Sequence, residues 1–307
     1  MTTFALAADR LTLHGTFSID RAPVLVIDPG DTVDFTTLIS GWTVDPDGTK
    51  FRPRDPTTDR GHALVGPVYI RGARPGQVLA VQVDAVRTGR WGESGAGGGR
   101  WGLNEPLGLS ESPHLRMRWV LDPDAQVGRS DIGHQVRLAP FLGVMGMPPP
   151  APGLHSTIPP RIYGGNIDCR ELVAGSTLYL PIGVEGGLFS VGDGHARQGD
   201  GEVGGIAIEC PMERVSLTFR LLDNPELSSP WAETAIGTLT FGFDADLDTA
   251  ALQALDAMLT LMGGRLGLTD RRQALALATA VVDLRITQMV NGVRGVHAVL
   301  PRDALLR

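Results

Sequence analysis

Apolar and polar residues alternate through the first half of the chain in short runs closed by turn residues. APVLVIDPGDTVDFTTL, residues 22–38, offers an apolar run, a DPGD turn, and then Val33, Phe35 and Thr37 spaced against polar neighbours. GPVYIRGARPGQVLAVQVDAV, residues 66–86, repeats the design: Val68 and Ile70 enter, ARPGQ turns, and Leu79, Val81 and Val83 return on one face. Each segment predicts a hairpin-like unit with one face to bury. Residues 91–108 (WGESGAGGGRWGLNEPLG) predict only a loop, because so many glycines fix no regular element.

The second half opens after GVMGMPPPAPGLHSTIPP, residues 143–160, whose prolines predict an extended crossover rather than helix or interior strand. STLYLPIGV, VGGIAIEC and VSLTFRLL then have strand character, with a glycine-rich tract from Gly183 to Gly205 among them. Period 3.6 enters only near the end. In DTAALQALDAMLTLMGG, Leu252, Leu255, Met258, Leu259 and Met262 share a face, and a glycine pair supplies a stop. In TDRRQALALATAVVDLRITQMVNG, Thr269 is placed to cap. Leu275, Ala278, Val282 and Met289 line one side, and Asn291–Gly292 ends the segment. The expected fold is mainly β (α+β), a single domain over residues 1–307. Within it, two sandwich- or barrel-like halves, 1–145 and 160–307, are joined by the Pro-rich crossover, with a C-terminal helix pair. The 40 glycines and 22 prolines agree with many short elements and tight turns.

Charge and composition mainly exclude. A net charge of −7 without a basic run argues against a nucleic-acid or anionic-membrane surface. No apolar stretch approaches the roughly 18 residues of a membrane span, and the N-terminus lacks a signal-peptide pattern. Two cysteines, Cys169 and Cys210, make no disulfide framework, so cytoplasmic residence is expected. Lys50 is the only lysine, which removes a phosphate loop and makes Ser–Lys or Cys–Glu–Lys catalysis improbable. Many strand edges favour self-association, and a homodimer or higher homo-oligomer is expected.

The chemistry-bearing stretch is GGNIDCRELVAGSTLYLPIGVEGGLFSVGDGHARQGDGEVGG, residues 164–205, with Asp168, Asp193, His195, Asp200 and Glu202 set among glycines. In extended backbone alternate side chains share a face, so Asp193 projects with His195 and Asp200 with Glu202. ARQG between them is short enough to turn, bringing the pairs together. Carboxylates and an imidazole suit a divalent cation, zinc first and calcium second. Glycine lets backbone approach a ligand closely. A spare carboxylate, Glu202, would shuttle a proton to a departing nitrogen. Asp-Gly is equally a hairpin-turn signal, so GDGH and GDGE also read as structural turns.

This tract closely resembles the acetamidase/formamidase family. So do HGTFSIDRAPVLVIDPGDTV, HALVGPVYIRGARPGQVLAVQV, LAPFLGVMGMPP and DLRITQMVNGVRGVHAVLP, the last being similar to the family's closing helix and tail. The resemblance covers nearly the whole chain. It implies hydrolysis of a small formamide- or acetamide-like carboxamide to carboxylate and ammonia, a β-rich fold with C-terminal helices, and a bound divalent metal. Asp168 from GGNxD, and Asp193, His195 and Glu202 from GDGHxxQGDGE, carry over. Asp168, Asp193 and His195 are expected to hold metal, and Glu202, Asp168 and His195 to act in catalysis. His14, in the opening motif, is a further candidate ligand, and His62 is similar. Asn166 is a candidate to orient substrate or a ligand carboxylate. Gln77 stands where the family usually has Asp, and the insert around residues 92–100 is unlike the family's segment, so substrate preference can differ if that loop borders the pocket.

Other constellations are weaker. Cys169 adjoins a carboxylate, which disfavours thiolate, and neighbours in a strand face opposite ways. No GxSxG elbow occurs. Trp42, Trp91 and Trp101 are candidates for pocket walls, though isolated tryptophans usually just pack. His297 is expected to be structural. The alternative from another class is a noncatalytic β protein braced by calcium in the same tract.

Overall fold

The computed structural model describes residues 1–223 and 228–305. Among the described residues two large sheets face each other. The first runs in the order Thr3–Leu6, Thr32–Thr37, Met212–Leu222, Val78–Thr88, Thr177–Pro181, Trp231–Glu233, Gly237–Asp244, Arg294–Pro301 and Asp283–Gln288. The second includes Leu115–Asp122, Trp91–Ala96, Ile208–Glu209, Phe189–Arg197, Phe141–Gly146 and Gly164–Asn166 in sequence of neighbours, with Leu64–Ile70 also paired to Phe189–Arg197. The core lies between them: Phe35, Leu79, Val81, Leu217 and Phe219 from one sheet meet Val65, Val68, Phe189 and Val191 from the other. Each such side chain contributes roughly 1.5–3 kcal/mol by leaving water. The alternation at Leu79, Val81 and Val83 therefore does what its period implies.

Strands from before and after the Pro-rich crossover share both sheets. Residues 1–145 and 160–307 are thus not separately packed halves; the chain interleaves them. The crossover is also shorter than the sequence suggests. Phe141–Gly146 is a fully buried strand, and the prolines begin only at Pro148. Gly146 permits the close pairing there, since a Cβ on it would stand 2.2 Å from the Gly165 nitrogen.

Trp91–Ala96 is likewise a strand, not a loop. Its glycines are needed rather than permissive: a Cβ at Gly92 would lie 2.7 Å from the Glu209 carbonyl oxygen, and one at Gly95 2.8 Å from that of Leu115.

Helix α1 spans Leu247–Leu266, capped by Asp246 and closed by Gly267 in the left-handed conformation, so the Gly263–Gly264 pair lies inside it. Its buried face is Ala250, Ala254, Ala257, Met258, Leu259, Leu261 and Met262, whereas Leu252 is exposed. Small alanines let α1 sit close on strands Gly237–Asp244 and Arg294–Pro301. Helix α2 spans only Arg271–Val281, with Asp270 rather than Thr269 as its cap and Leu275 exposed. Beyond it, Asp283–Gln288 is a strand paired with Arg294–Pro301, so the closing segment is a hairpin and Asn291 lies in its turn. The β-branched Val281, Val282, Ile286 and Thr287 favour that outcome over continued helix.

Candidate active site

The site sits where one strand changes partners. Phe189–Arg197 pairs with Leu64–Ile70 as far as Gly192, and with Ile208–Glu209 from His195 onward. Asp193 falls in the fork. On the opposite edge the same strand pairs with Phe141–Gly146, where Gly143 comes alongside. A Cβ on Gly143 would lie 2.5 Å from Asp193 Oδ2, 2.7 Å from Asp168 Oδ1 and 2.8 Å from His195 Cε1. The glycine leaves room for three side chains to meet.

Asp168, Asp193 and Glu202 all take positive φ, at 55°, 61° and 44°. That conformation is uncommon for residues other than glycine and costs on the order of 1–3 kcal/mol each. Three of the six non-glycine residues so strained among the described residues are therefore acids of one cluster. The strain re-aims side chains that strand alternation would send elsewhere.

His195 is fully buried, with Phe141 edge-on at 5.0 Å between ring centroids. Its Nε2 is 3.0 Å from Glu209 Oε1 and 3.4 Å from Asp193 Oδ2. His62 Nε2 stands 3.9 Å from the same Asp193 oxygen, and its Nδ1 is 2.8 Å from Thr157 Oγ1. Ser40 Oγ donates to Glu209 Oε2 at 2.8 Å. Asn291 Nδ2 donates to Asp168 Oδ2 at 2.9 Å, and Gln198 Nε2 to the Asp168 carbonyl at 2.7 Å. A cavity of about 330 Å³ opens onto the cluster, lined by His62, Asn166, Asp193, Glu202, Glu209 and Asn291 and also by Trp101, His114 and Ile206.

Burial and crowding split the charges. Burial, reinforced by the charge of Glu202 and Asp193, pushes the Asp168 carboxyl well up against the pull of His195. Burial pushes Glu202 up to about 8; His195 opposes, while Asp193 and Glu209 add to the rise. Glu209 is raised by burial and by Asp193. For Asp193 burial acts the same way, but the imidazoles of His62 and His195 outweigh it and hold the carboxyl below the usual carboxylate range. His195 is raised: burial works against its charge, and Glu209 and Asp193 overcome that. The outcome is a charged His195–Asp193 pair beside a carboxyl, Glu202, that keeps its proton near neutrality.

The donor set fits a divalent cation. Asp168, Asp193 and His195 form one group whose ligand atoms lie within 4.8 Å of one another, and His195, Glu202 and Glu209 a second. Asp168 Oδ1, Asp193 Oδ1, Glu202 Oε2 and both His195 ring nitrogens are buried without a hydrogen bond. The short His195 contacts are close but not aligned for hydrogen bonding. Their spacing approaches the roughly 3.4 Å between neighbouring ligands of a tetrahedral cation with bonds of about 2.1 Å.

Not every residue expected from the sequence joins this cluster. His14 is buried, but its Nδ1 is 2.9 Å from the Thr16 carbonyl and its Nε2 3.0 Å from Ser190 Oγ, so both nitrogens are committed to the fold. Burial, aided by the charge of Arg21, lowers it to about 3. Asp200 turns toward Arg285 at 3.8 Å instead of pairing with Glu202. Asn166 is buried with its Oδ1 unpartnered at the cavity. Cys169 is buried and free, its thiol pushed up chiefly by burial. Trp42 is packed away, its indole N–H donating to the Gly61 carbonyl, whereas Trp101 lines the cavity. Sequence reasoning passes over Glu209, Asn291 and Gly143. The one available signal is a lone acid, Glu209, inside the apolar run IAIEC.

A family model described as acetamidase/formamidase matches residues 151–234. A formamidase from Methylophilus methylotrophus and an acetamidase from Mycolicibacterium smegmatis are each 27% identical to the chain over 62% of its length. Those matches span 59% and 61% of the two relatives, about three fifths of their length. A solved acetamidase structure from Bacillus halodurans superposes with a TM-score of 0.85 at 26% identity, covering 97% of both chains. A predicted acetamidase/formamidase from Thermoanaerobacter tengcongensis does so with a TM-score of 0.86 at 25% identity, covering 98% of this chain and 96% of the other. The chain is thus similar in sequence and in fold to acetamidases and formamidases. Asn166, Asp168, Asp193, His195, Glu202 and Glu209 all fall inside the matched acetamidase/formamidase segment; His62, Gly143 and Asn291 join the cluster from outside it. Among the described residues no helix is long and apolar enough to cross a membrane.

Proposed function

We propose that this chain hydrolyses a small carboxamide to the carboxylate and ammonia, using a divalent cation, zinc first, held by Asp193 and His195 with Asp168 or Glu209. Such a cation, when bound, supplies Lewis acidity for the carbonyl and for water. The remaining roles belong to side chains. Asn166 Oδ1, buried and unpartnered, accepts an N–H of the amide and sets its orientation. Glu202, which lines the same cavity, holds a proton near neutral pH and gives it to the leaving nitrogen as the C–N bond breaks and the new C–O bond forms. Asn291 holds Asp168 in place through its Oδ2.

The observation that carries this reading is geometric: the ligand atoms of Asp168, Asp193, His195, Glu202 and Glu209 converge, several of them buried without a hydrogen bond, beside a cavity lined by Asn166, Asp193 and Glu202. Converging donors suit an electrophilic cation, and a neighbouring carboxyl that burial holds protonated, Glu202, suits acid catalysis beside it. Ammonia release from acetamide and formamide, with metal analysis of the same preparation, tests it. Glu202→Gln is expected to lower kcat by about 10²–10⁴-fold with circular dichroism unchanged. Full activity in metal-free protein, or in that variant, would overturn the reading. A chelator that lowers the melting temperature of a protein with no turnover would point instead to a calcium brace.

A further inference from the structure

The cavity is larger than formamide or acetamide needs. Its volume is about 330 Å³, whereas a water's share of liquid is about 30 Å³ and pockets for drug-sized ligands begin at about 300 Å³. The polar residues Asn166, Asp193 and Glu202 suffice for an amide group. The same cavity is also lined by Trp101, His114 and Ile206.

That second group of residues is built, not incidental. Trp101 and His114 stand edge to face, with centroids 5.9 Å apart and planes at 69°, forming a corner. The Trp101 loop is fixed against the segment that follows Glu202 by glycine-to-glycine contact. A Cβ on Gly102 would lie 2.8 Å from the Gly204 carbonyl oxygen, and one on Gly205 2.6 Å from the Gly102 Cα. Both glycines take positive φ, 58° and 73°, so the approach is written into the backbone. From behind, the buried Asn104 clamps the loop, accepting from the Gly97 N–H at 3.0 Å and donating to the Gly97 carbonyl at 3.2 Å. The loop that carries the indole is thereby fixed against the backbone that follows Glu202.

Resting on the amidase reading, we infer that the preferred substrate is a primary carboxamide with an aromatic or similarly bulky apolar acyl group, its ring lodged in the Trp101–His114–Ile206 corner while the amide meets Asn166 and Glu202. Aromatic rings favour edge-to-face and offset contacts with such a corner, and apolar area leaves water on binding.

The test compares kcat/KM of the full-length protein for phenylacetamide and acetamide, alongside calorimetric binding of both. Phenylacetamide is expected to be favoured at least tenfold, and Trp101→Ala to shrink that ratio at least tenfold, with Trp101→Phe retaining most of it. Ile206→Ala, which leaves the glycine contact intact, should shrink it severalfold and guards against a loop that misfolds without its tryptophan. Turnover of acetamide with a ratio at or below one overturns this inference and leaves the amidase reading standing. No turnover of any amide removes that reading. Calorimetry then still decides the corner: phenylacetamide binding tighter than acetamide, and lost in Trp101→Ala, supports it, and equal weak binding overturns it.

Discussion

Two buried histidines, His195 within the strand Phe189–Arg197 and His14 against its Ser190, have opposite surroundings. His14 reaches Ser190 with one nitrogen and the Thr16 carbonyl with the other; both partners are neutral. His195 has two carboxylates within 3.4 Å and neither ring nitrogen in a well-formed hydrogen bond. Burial alone expels a proton from imidazole, and His14 falls to about 3. At His195 the same burial is outweighed by Glu209 and Asp193, and the shift reverses. The role of a buried histidine is thus fixed by what faces it across the fold, and an unsatisfied, crowded imidazole marks the candidate site while a satisfied one marks structure.

The sharpest way to break this contrast is to fill the space that lets the second cluster exist. Gly143→Ala would set a methyl group within 2.8 Å of Asp193, Asp168 and His195 at once. These side chains must shift by about an ångström. Amide hydrolysis is expected to fall at least about 100-fold, since misplacement on that scale costs about that much, and stability by roughly 1–3 kcal/mol. Kinetics and urea unfolding of the variant check both. Wild-type activity would mean that the crowding around His195 has no bearing on the chemistry.

A milder perturbation acts through the hairpin turn. Asn291→Ala removes the donor to Asp168 Oδ2 and leaves that buried oxygen without a partner. Leaving a buried polar group without its partner costs about 1–3 kcal/mol, so kcat/KM should drop roughly ten- to a hundredfold. If instead only the melting temperature moves, the turn braces the fold without serving the site.

These residues also show where sequence reasoning stops. Alternation located strands such as Thr32–Thr37, Leu64–Ile70, Val78–Thr88, Thr177–Pro181 and Met212–Leu222, each with a face to bury, and the glycine–acid tract put Asp168, Asp193, His195 and Glu202 within one 35-residue stretch. Trp91–Ala96 escaped because its glycines answer to the carbonyls of Glu209 and Leu115, which are remote in sequence. The second helix is shorter than its pattern because a run such as ALALATAVVDLRI satisfies both the helical and the strand period. His14 and His62 look equally plausible in the sequence: His14 follows the alternating Leu11–Leu13 pattern, and His62 lies just before an apolar strand. Only strand pairing separates them, putting His62 at the fork beside Asp193 and His14 against Ser190. Glu209 and Asn291 reach the cluster from a different strand and from the closing hairpin.

The smallest expected effect comes from His14→Gln, and it tests the neutral half of the contrast. The folded pKa of His14, about 3, lies below its unfolded value of about 6.5. The unfolded chain therefore takes up the proton first as pH falls. Stability is complete above about pH 6.5 and is lost on acidification toward 3. His297, also lowered to about 3 by burial and by the charges of Arg285 and Arg170, works in the same direction. Between pH 7 and pH 5 one such histidine removes roughly 2 kcal/mol. Glutamine has no proton to gain, so the variant should lose about that much less than wild type over this interval in urea unfolding. At pH 7 it should be roughly 1–2 kcal/mol less stable, for the hydrogen bonds it makes poorly. Because His14 touches none of the acids at the fork, the proposed amide turnover and metal content at pH 7 should stay within about twofold of wild type. Loss of the cation in His14→Gln would place this imidazole among the ligands and erase the distinction between the two histidines.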